Sequence, residues 1–347
     1  MTLSDFNYHL PEGLIAQRPT KTRDASRLMV VHRDTGQIEH RKFSDVIAYL
    51  KPGDGLVLNR TRVMRARLLG RRKDTNGNVE AVLIREVTEG LWETLLRPSR
   101  RLAVGSVFVL EDGISEALVS DGPDTYRRYL RFPNEPNVPD LLQRVGRLPL
   151  PPYVLREDDE KDVARYQTVY GDALGAIAAP TAGLHFTENL LQSVADKGVS
   201  VIPILLHVGP GTFQPVRVDQ ISDHKMEKEY YSIDTTAAGE INGVRTTGRI
   251  VAVGTTSVRT LETAASDSLE PSLGHLRPCQ GWTNCFIYPP YDFKVVDSLL
   301  TNFHLPRSTL LMLVCAFAGK DTILHAYEEA VREGYRFYSY GDAMLIV

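Results

Sequence analysis

The sequence predicts an α/β protein: a mostly parallel sheet with covering helices, into which an antiparallel β-barrel is inserted. Three observations indicate this fold. Strand-like and helix-like runs alternate through residues 151–347, as in parallel sheets whose strands are joined by helices. Short β-type runs without helices fill residues 61–135. The chain has 347 residues, enough for about two domains of ~150 residues each.

Residues 1–60 read as mixed α and β. "RLMVVHRDTGQIEHRKF" holds two strand-like runs around the turn residues 33–36, which predicts a β-hairpin. "SDVIAYLKPGD" predicts a short helix that begins at a capping Ser44 and ends before Pro52 and Gly53.

The inserted domain begins near residue 61. "VMRARLLG", "NVEAVLIREV", "LWETLLRP", "GSVFVL", "EALVSD" and "YRRYLRF" are β-type runs separated by turn residues, which predicts a small barrel or sandwich. A short helix and a proline-rich crossing follow. We therefore expect an α/β domain made of residues 1–60 and 151–347, interrupted by a β-barrel domain over residues 61–150.

Residues 151–347 supply the remaining sheet and helices. "GAIAAP", "VSVIPILLHV", "GRIVAVG" and "NCFIYPP" are strand-like. "TENLLQSVADKG", "TTAAGEINGVRTTG", "SVRTLETAAS" and "RSTLLMLVCAFAG" are helix-like, and Thr187 is placed to cap the first of them. The apolar run of the last helix is too short to span a bilayer and predicts a buried core helix.

Composition narrows the class of protein. The net charge of −3 restricts any nucleic-acid surface to a local patch. Three cysteines form neither a disulfide framework nor a zinc pattern, and the N-terminus lacks the features of a signal peptide. These features predict a cytoplasmic protein with reduced thiols and no membrane segment; we expect a monomer.

Polar residues follow three of the predicted strands, at the end where open parallel sheets bind their ligands. "GAIAAPTAGLHFT" leads into His185, and "ILLHVGPGTF" ends in His207. "RIVAVGTTSVRTLE" ends at Gly254, followed by hydroxyl side chains and Arg259. Their coincidence predicts a shared site.

The common cofactor motifs are missing from the sequence. It contains no G-x-x-x-x-G-K-[ST], no G-x-G-x-x-G that opens a helix, no G-x-S-x-G and no H-E-x-x-H. These absences argue against a P-loop nucleotide site, a dinucleotide site and an α/β-hydrolase.

"DHKMEKEYYSI" leaves three interpretations open. His224, Glu227 and Glu229 are close enough in sequence to bind a metal ion. A carboxylate beside a histidine also suits general acid–base catalysis. The third interpretation is a charged edge strand.

A local basic stretch lies at the start of the inserted domain. "NRTRVMRARLLGRRK" carries seven basic residues and no acidic one, and "TYRRYLRF" adds arginines among tyrosines. Clustered arginines favour contact with a nucleic-acid backbone, and the alternative is a solvated edge strand. The candidate RNA-binding residues are Arg60, Arg62, Arg65, Arg67, Arg71, Arg72 and Lys73.

Eight blocks in order resemble one known family. "SRLMVV", "LNRTRV", "LPLPPYV", "RYQTVY", "APTAGLHFT", "LHVGPGTFQPV", "GTTSVRTLE" and "TNFHLPRSTLLMLVCAFAG" are similar to the S-adenosylmethionine:tRNA ribosyltransferase-isomerases of queuosine biosynthesis. The resemblance runs from residue 6 to the end of the chain. It departs from the family pattern at Glu227, where many members carry histidine.

The resemblance implies a reaction. The ribosyl unit of S-adenosylmethionine is joined to 7-aminomethyl-7-deazaguanine in the tRNA wobble position and rearranges, giving epoxyqueuosine-tRNA with release of adenine and methionine. It implies S-adenosylmethionine as co-substrate, with no prosthetic group and no metal. The chemistry needs a base near the ribose C5′, an acid at the departing adenine and a neutral attacking amine.

We expect histidine to serve as base and acid, because its pKa of about 6.5 makes both forms accessible near neutrality. The expected catalytic residues are His185, His207, His224 and Glu229. Thr256 and Arg259 are expected to bind the methionine carboxylate. The other expected substrate contacts are Gly183, Gly209, Gly211, Phe213 and His304.

Two other functions compete with this interpretation. A methyltransferase using the same co-substrate would favour an acidic, glycine-rich loop after its first strand, whereas "HVGPG" has histidine in that place. A non-enzymatic RNA-binding protein would leave the histidines at the strand ends unexplained.

Overall fold

The computed structural model describes residues 1–99, 102–123, 127–213, 215–266 and 275–347. The strands of the α/β part are β1 (Arg27–Val31), β2 (Ile38–Lys42), β3 (Gly55–Asn59), β12 (Ser200–Leu206), β13 (Glu229–Ile233), β14 (Ile250–Val253), β15 (Cys279–Thr283), β16 (Ser298–Asn302) and β17 (Ala343–Ile346). The inserted strands are β5 (Arg67–Arg72), β6 (Asn78–Thr88), β7 (Leu91–Arg97), β8 (Val107–Leu110), β9 (Glu116–Ser120) and β10 (Arg127–Arg131). Two further strands, β4 (Thr61–Val63) and β11 (Ala173–Ala176), join the two parts.

The helices flank these strands along the chain. They are α1 (Val138–Val145), α2 (Glu160–Arg165), α3 (Glu188–Asp196), α4 (Thr235–Val244), α5 (Thr255–Ser266), α6 (Thr309–Ala318) and α7 (Lys320–Arg332). Short 3-10 turns include Phe43–Tyr49, Thr181–His185 and Pro210–Phe213. Thr187 caps α3 as predicted, because its hydroxyl accepts the Leu190 N–H at 3.1 Å.

Within the described residues, the large sheet has the strand order β15-β13-β12-β3-β14-β16-β17-β1-β2. Its centre is parallel from β12 through β3 and β14 to β16. The outer pairs β12–β13, β13–β15, β16–β17 and β1–β2 are antiparallel, while β1–β17 is parallel. The predicted α/β class is confirmed, and the sheet is mixed where the sequence predicts a mostly parallel one.

Two apolar layers cover the sheet. One face packs on α4, α5, α6 and α7, and the other face packs on α3 and the turn Phe43–Tyr49. Strand β14 shows why its sequence is a continuous apolar run. Ile250 and Ala252 enter one layer, whereas Val251 and Val253 enter the other, since successive side chains point to opposite faces.

The inserted domain is a closed barrel, as predicted. Its described strands follow the order β10-β7-β6-β5-β8-β9, and its interior is filled by alternating apolar residues such as Leu68, Val79 and Leu83. Helix α1 packs on this core through Leu141 and Leu142. Of the tyrosines in "TYRRYLRF", Tyr129 lies in β10, and residue 126 lies outside the described residues.

Several elements differ from the sequence prediction. Strand β11 pairs in parallel with β4 and lies outside the large sheet, so "GAIAAP" is not one of its strands. The short helix predicted from Ser44 is a 3-10 segment that begins at Phe43. Strands β16 and β17 and helix α7 were not predicted, and the strand expected in "NCFIYPP" lies earlier, at Cys279–Thr283.

No single helix in the described part of the chain is long and apolar enough to cross a membrane. Helices α6 and α7 pass such a test only when taken together, and they are bent by 117° at Gly319.

Candidate active site

A cleft opens at the carboxyl ends of the central strands and encloses about 510 Å³ of space that is open to solvent. Gly254 ends β14 at a φ of +87°, a left-handed conformation that turns the chain directly into α5. The first residues of α5, Thr255 and Thr256, therefore present hydroxyls and helix N-terminal N–H groups at the cleft. The polar and aromatic lining consists of Tyr153, Thr181, Thr212, Thr255, Thr256, Thr301, Asn302, His304, Tyr338 and Ser339.

Asn59, a residue not predicted for the site, ties three strand ends together. It is fully buried, and its amide donates to the Leu206 carbonyl at 2.9 Å and to the Thr256 hydroxyl at 3.3 Å. Its side-chain oxygen accepts the Leu206 N–H at 3.0 Å. The Asn59 amide thus holds the end of β12 and the Thr256 side chain in fixed positions relative to β3.

His304 lines the cleft, as the sequence predicts for a substrate contact. Its Nε2 lies 2.9 Å from the Thr301 hydroxyl, and its backbone N–H donates to the Tyr327 hydroxyl at 3.1 Å. Burial lowers the pKa of His304 to about 3, so the imidazole is neutral near neutrality.

His185 lies outside the lining of the cleft, held behind it. Its Nδ1 is 2.7 Å from the Ser26 hydroxyl and its Nε2 is 3.1 Å from the amide nitrogen of Asn302, which does line the cleft. The ring also stacks on Phe43. Burial, together with the positive charges of Arg336 and Arg23, lowers the pKa of His185 to about 3.

His207 directly follows β12 and, like His185, lies outside the lining of the cleft, although the next residue, Val208, lines it. Its Nδ1 is 2.8 Å from the Thr61 hydroxyl of β4, and the ring lies against the backbone of Gly175 in β11 and stacks on Tyr230. Within the described chain its Nε2 makes no hydrogen bond, and burial lowers its pKa. The structure does not bring His185 and His207 together: the first contacts Asn302 and the second contacts the strands that carry the barrel.

Glu229 and Arg259 form a buried ion pair, and each residue is 3% exposed. The Glu229 carboxylate also accepts the Gly209 N–H at 2.8 Å and the Thr212 hydroxyl at 3.1 Å. Arg259 donates through Nε to the Cys285 carbonyl at 2.9 Å, while its buried Nη2 has no partner in the described residues. The pair therefore fixes the loop that supplies Thr212 to the cleft and keeps one guanidinium donor unused.

The other charged residues of "DHKMEKEYYSI" contact the loop at Gly211 and strand β10 of the barrel. Glu227 is ion-paired with Arg127 of β10, and its side chain fills the space beside Gly211. A side chain at residue 211 would lie within 3 Å of the Glu227 side chain, so the close approach requires glycine there. His224 contacts the Phe286 ring, and burial lowers its pKa. Strand β13 is not an edge strand, because β15 pairs with its outer side.

Gly183 and Phe213 complete the predicted substrate contacts. Gly183 lies against the Tyr170 hydroxyl, which a Cβ atom would approach to 2.0 Å, so packing alone requires glycine at this position. The side chain of Phe213 lies outside the part that the structure describes.

Sequence reasoning missed one wall of the cleft. Tyr153 and Tyr338 bring their rings together with centroids 3.8 Å apart, and the Tyr153 hydroxyl bonds to Ser339. Tyr338 has a φ of +75°, unusual for a bulky residue, and its carbonyl accepts the Asn302 amide at 3.1 Å. Positive φ at a non-glycine residue clusters at functional sites. The "LPLPPYV" block, which contains Tyr153, was the only sequence signal for this wall.

The predicted basic stretch is divided between the connection and the barrel. Arg60 precedes β4 and is ion-paired with Asp172, whereas Arg62 lies in β4 and donates to the Gly171 carbonyl. Arg67 pairs with Glu80, Arg72 with Asp74 and Lys73 with Glu116. Arg65 bonds to the Gln143 carbonyl, and Arg71 is exposed without an ion pair in the described residues. Much of the positive charge of the stretch is thus compensated.

The fold and the cleft define a class: an α/β protein with an inserted barrel and a polar, aromatic-walled ligand site at its strand ends. The family model described as queuosine biosynthesis protein matches residues 3–346. A Symbiobacterium thermophilum protein named S-adenosylmethionine:tRNA ribosyltransferase-isomerase is 54% identical, with all of both chains covered. A Moorella thermoacetica protein of the same name is 51% identical over the full length of both chains.

A solved structure agrees with these relatives. The crystal structure of S-adenosylmethionine tRNA ribosyltransferase from Thermotoga maritima is 40% identical, covers 99% of this chain and 100% of its own, and superposes with a TM-score of 0.57. The chain belongs to the queuosine biosynthesis family of S-adenosylmethionine:tRNA ribosyltransferase-isomerases. The family assignment made from the eight blocks is confirmed.

Proposed function

We propose that this protein transfers the ribosyl unit of S-adenosylmethionine to 7-aminomethyl-7-deazaguanine at the tRNA wobble position and isomerises it to the epoxycyclopentanediol. Adenine and methionine are the other products. The observation that carries the proposal is the cleft at the strand ends, in a chain whose relatives match it from end to end. Its hydroxyl-rich lining and paired tyrosines suit a nucleoside, whose base stacks and whose sugar hydroxyls form hydrogen bonds.

The methionine carboxylate is assigned to the start of α5. Thr256 lies in the first turn of that helix, where N–H groups and the helix dipole favour an anion. Arg259 is one turn further on, and its buried Nη2 has no partner in the described residues. A buried guanidinium donor without a partner costs free energy until a ligand supplies an acceptor.

Proton transfer is assigned first to His207. Thr61 fixes its Nδ1, which leaves Nε2 available to accept or donate a proton. His185 has both ring nitrogens occupied and a pKa of about 3, which suits a neutral residue that orients Asn302. The Glu229 carboxylate accepts hydrogen bonds from Gly209 and Thr212 in the loop that follows His207. His224 lies against the Phe286 ring.

The arginines of the barrel are assigned to the tRNA. Arg71 is the strongest candidate, since its charge is not neutralised by a carboxylate in the described residues. Arg60, Arg62 and Arg65 lie on β4 or beside it, in the segment that leads from the α/β part into the barrel.

The test is mass spectrometry of tRNA bearing the aminomethyl-deazaguanine base after incubation with S-adenosylmethionine. We expect a mass gain for the ribosyl-derived unit and equimolar adenine and methionine. Formation of S-adenosylhomocysteine would instead establish a methyltransferase. Intact co-substrate in the presence of bound tRNA would indicate a non-enzymatic RNA-binding protein.

Two matched variants test the histidine roles. We expect His207→Gln to reduce adenine release by about 10²-fold or more, the scale of general acid–base catalysis. His185→Gln keeps one hydrogen bond to Asn302 or Ser26 and should cost less. Near-wild-type turnover in His207→Gln would contradict the assignment.

A further inference from the structure

A second recess lies beside the cleft and shares one wall with it. It encloses about 240 Å³ of space open to solvent, and its lining includes Thr20, Arg23, Arg165 and His185. Ser339 lines both the recess and the cleft. A ligand in the recess would therefore sit one residue away from a ligand in the cleft.

Two arginines of the recess lack a counter-charge. Arg23 donates from Nη1 to the Leu184 carbonyl at 3.0 Å and from Nη2 to the Ala164 carbonyl at 2.8 Å. Arg165 donates from Nη1 to the Lys21 carbonyl at 3.1 Å. Among the described residues no carboxylate lies within ion-pair distance of either guanidinium, in contrast to Arg156 nearby, which pairs with Asp162.

Both guanidiniums keep donors for a ligand. A guanidinium has five N–H groups, of which Arg23 uses two and Arg165 one on these carbonyls. The Nε of Arg165 is buried and has no partner in the described chain. Unused N–H groups from two arginines in one concave recess suit a tetrahedral oxyanion, which accepts several charge-assisted hydrogen bonds at once.

The positive charges of Arg23 and Arg165 also affect the pKa values of the recess. Burial and the neighbouring charge of Arg165 lower the pKa of Arg23, and burial lowers that of Arg165. Burial depresses the pKa of His185, and the charges of Arg336, Arg23 and Arg165 lower it further. Arg336 itself lies 3.6 Å from Asp342, so it is not counted among the free charges.

We propose that this recess binds a phosphodiester group of the tRNA, at the nucleotide whose base occupies the cleft. The inference rests on the proposed function. An enzyme that modifies a base at a loop position must hold that nucleotide out of its stack, and a fixed phosphate next to the base pocket provides the anchor. Ser339 then separates the phosphate of the nucleotide from its base.

The methionine carboxylate is a poorer occupant of the recess. The start of α5, whose Thr255 and Thr256 line the cleft and not the recess, already offers an anion site together with the unused Nη2 of Arg259. Arg23 also has a structural role, because it donates to the carbonyl of Ala164 in the last turn of α2. That role uses one of its donors, and it does not explain why Arg165 lies in the same recess without a carboxylate partner.

The experiment scans an RNA hairpin with the anticodon-loop sequence, in which single phosphates are replaced by neutral methylphosphonates. With the wild-type enzyme we expect one linkage beside the modified nucleotide to weaken binding about tenfold, the value of a charge-assisted hydrogen bond. With Arg165→Gln, binding of the unmodified hairpin should fall by a similar factor, and that linkage should no longer matter. The slope of log Kd against log salt concentration should flatten by about one.

The control is Arg33→Gln. Arg33 follows the carboxyl end of β1, where its guanidinium lies over the Phe317 ring, whereas Arg23 of the recess precedes the start of that strand. It should leave hairpin affinity and the sensitive linkage unchanged. Arg23→Gln repeats the test of Arg165, and the scan with the wild-type enzyme stands even where a variant does not fold.

The proposal is overturned if no single linkage matters for the wild-type enzyme, or if Arg165→Gln leaves the sensitive linkage as sensitive as before. A raised KM for S-adenosylmethionine with unchanged hairpin affinity would also overturn it and assign the recess to the methionine carboxylate. Failure of the proposed function is a separate result: the hairpin would show the linkage effect while no ribosyl transfer occurred.

Discussion

The buried pair Glu229–Arg259 gives the most direct test of how the site is held together. The perturbation is Glu229→Gln, which keeps the shape of the side chain and removes its charge. The amide oxygen can still accept the Gly209 N–H, but it cannot compensate the guanidinium of Arg259, which is 3% exposed. Leaving one partner of a buried pair uncompensated costs about 3–5 kcal/mol. We expect a loss of free energy of unfolding in that range.

The partner variant Arg259→Met removes the charge that the first variant leaves uncompensated. The double variant should therefore lose less free energy than the two single variants together, with a coupling of at least about 2 kcal/mol. Activity should not return in the double variant, because Arg259 is assigned to the methionine carboxylate. A matched control is Glu227→Gln on the same segment: this side chain is 24% exposed in its pair with Arg127, and its loss should cost about 1 kcal/mol or less.

The assay is urea unfolding followed by tryptophan fluorescence in a Trp92→Phe background. Trp282, on β15 beside β13, is then the remaining tryptophan; it belongs to the α/β part, and Arg85 of β6 lies over its ring, so a second transition would report separate unfolding of the barrel. Additivity of the two single variants within about 0.5 kcal/mol would refute the reasoning. So would a loss for Glu229→Gln no larger than that for Glu227→Gln.

Three further predictions follow from the described contacts. The folded pKa of His185 and of His304 is about 3, below the unfolded value of 6.5, so stability is complete above pH 6.5 and falls as the pH drops toward 3. Each histidine contributes a slope of about 1.4 kcal/mol per pH unit, and His185→Gln should reduce the slope measured by urea unfolding by that amount, whereas an unchanged slope would contradict the assigned pKa. Gly254→Ala should lower the free energy of unfolding by about 1–2 kcal/mol for its φ of +87°, while Gly209→Ala, whose added Cβ would meet Glu229 only at ordinary distances, should cost clearly less; equal losses would contradict this. Arg71→Glu should weaken tRNA binding in a filter or fluorescence assay more than Arg67→Glu, since Arg67 is already paired with Glu80; equal effects, or none, would argue against the barrel surface.

Much of the fold could be predicted because the pattern of apolar residues that marks each strand or helix is contained within a few consecutive residues. The closed barrel is read from alternating runs such as "NVEAVLIREV", and β14 is read from a continuous apolar run before a glycine. Strand β16 was missed because "SLLTN" is five residues long, is buried on both faces and has no alternation. A sequence pattern also does not reveal which strand pairs with which, so "GAIAAP" was placed in the wrong sheet.

The site was predictable only where it follows a strand directly. Thr256 and His304 line the cleft because each comes within a few residues of a strand end. Tyr153 and Tyr338 lie 185 positions apart in the chain and meet only through packing, where the Tyr153 hydroxyl bonds to Ser339, the residue after Tyr338. The common position expected for His185 and His207 assumed that their preceding strands were neighbours in one sheet, and the pairing of β11 with β4 removes that assumption.

The pairing of β4 with β11 has a mechanical consequence. The chain enters the barrel after β4 and returns to the α/β part through β11, so this pair of strands connects the two parts. The same pair of strands provides both the hydroxyl of Thr61 and the backbone of Gly175 that enclose the ring of His207. Any tilt of the barrel, such as RNA docking would impose, reaches that imidazole directly through its two nearest supports. Under the proposed roles, RNA contact by the barrel and proton transfer at His207 would both depend on this one pair of strands.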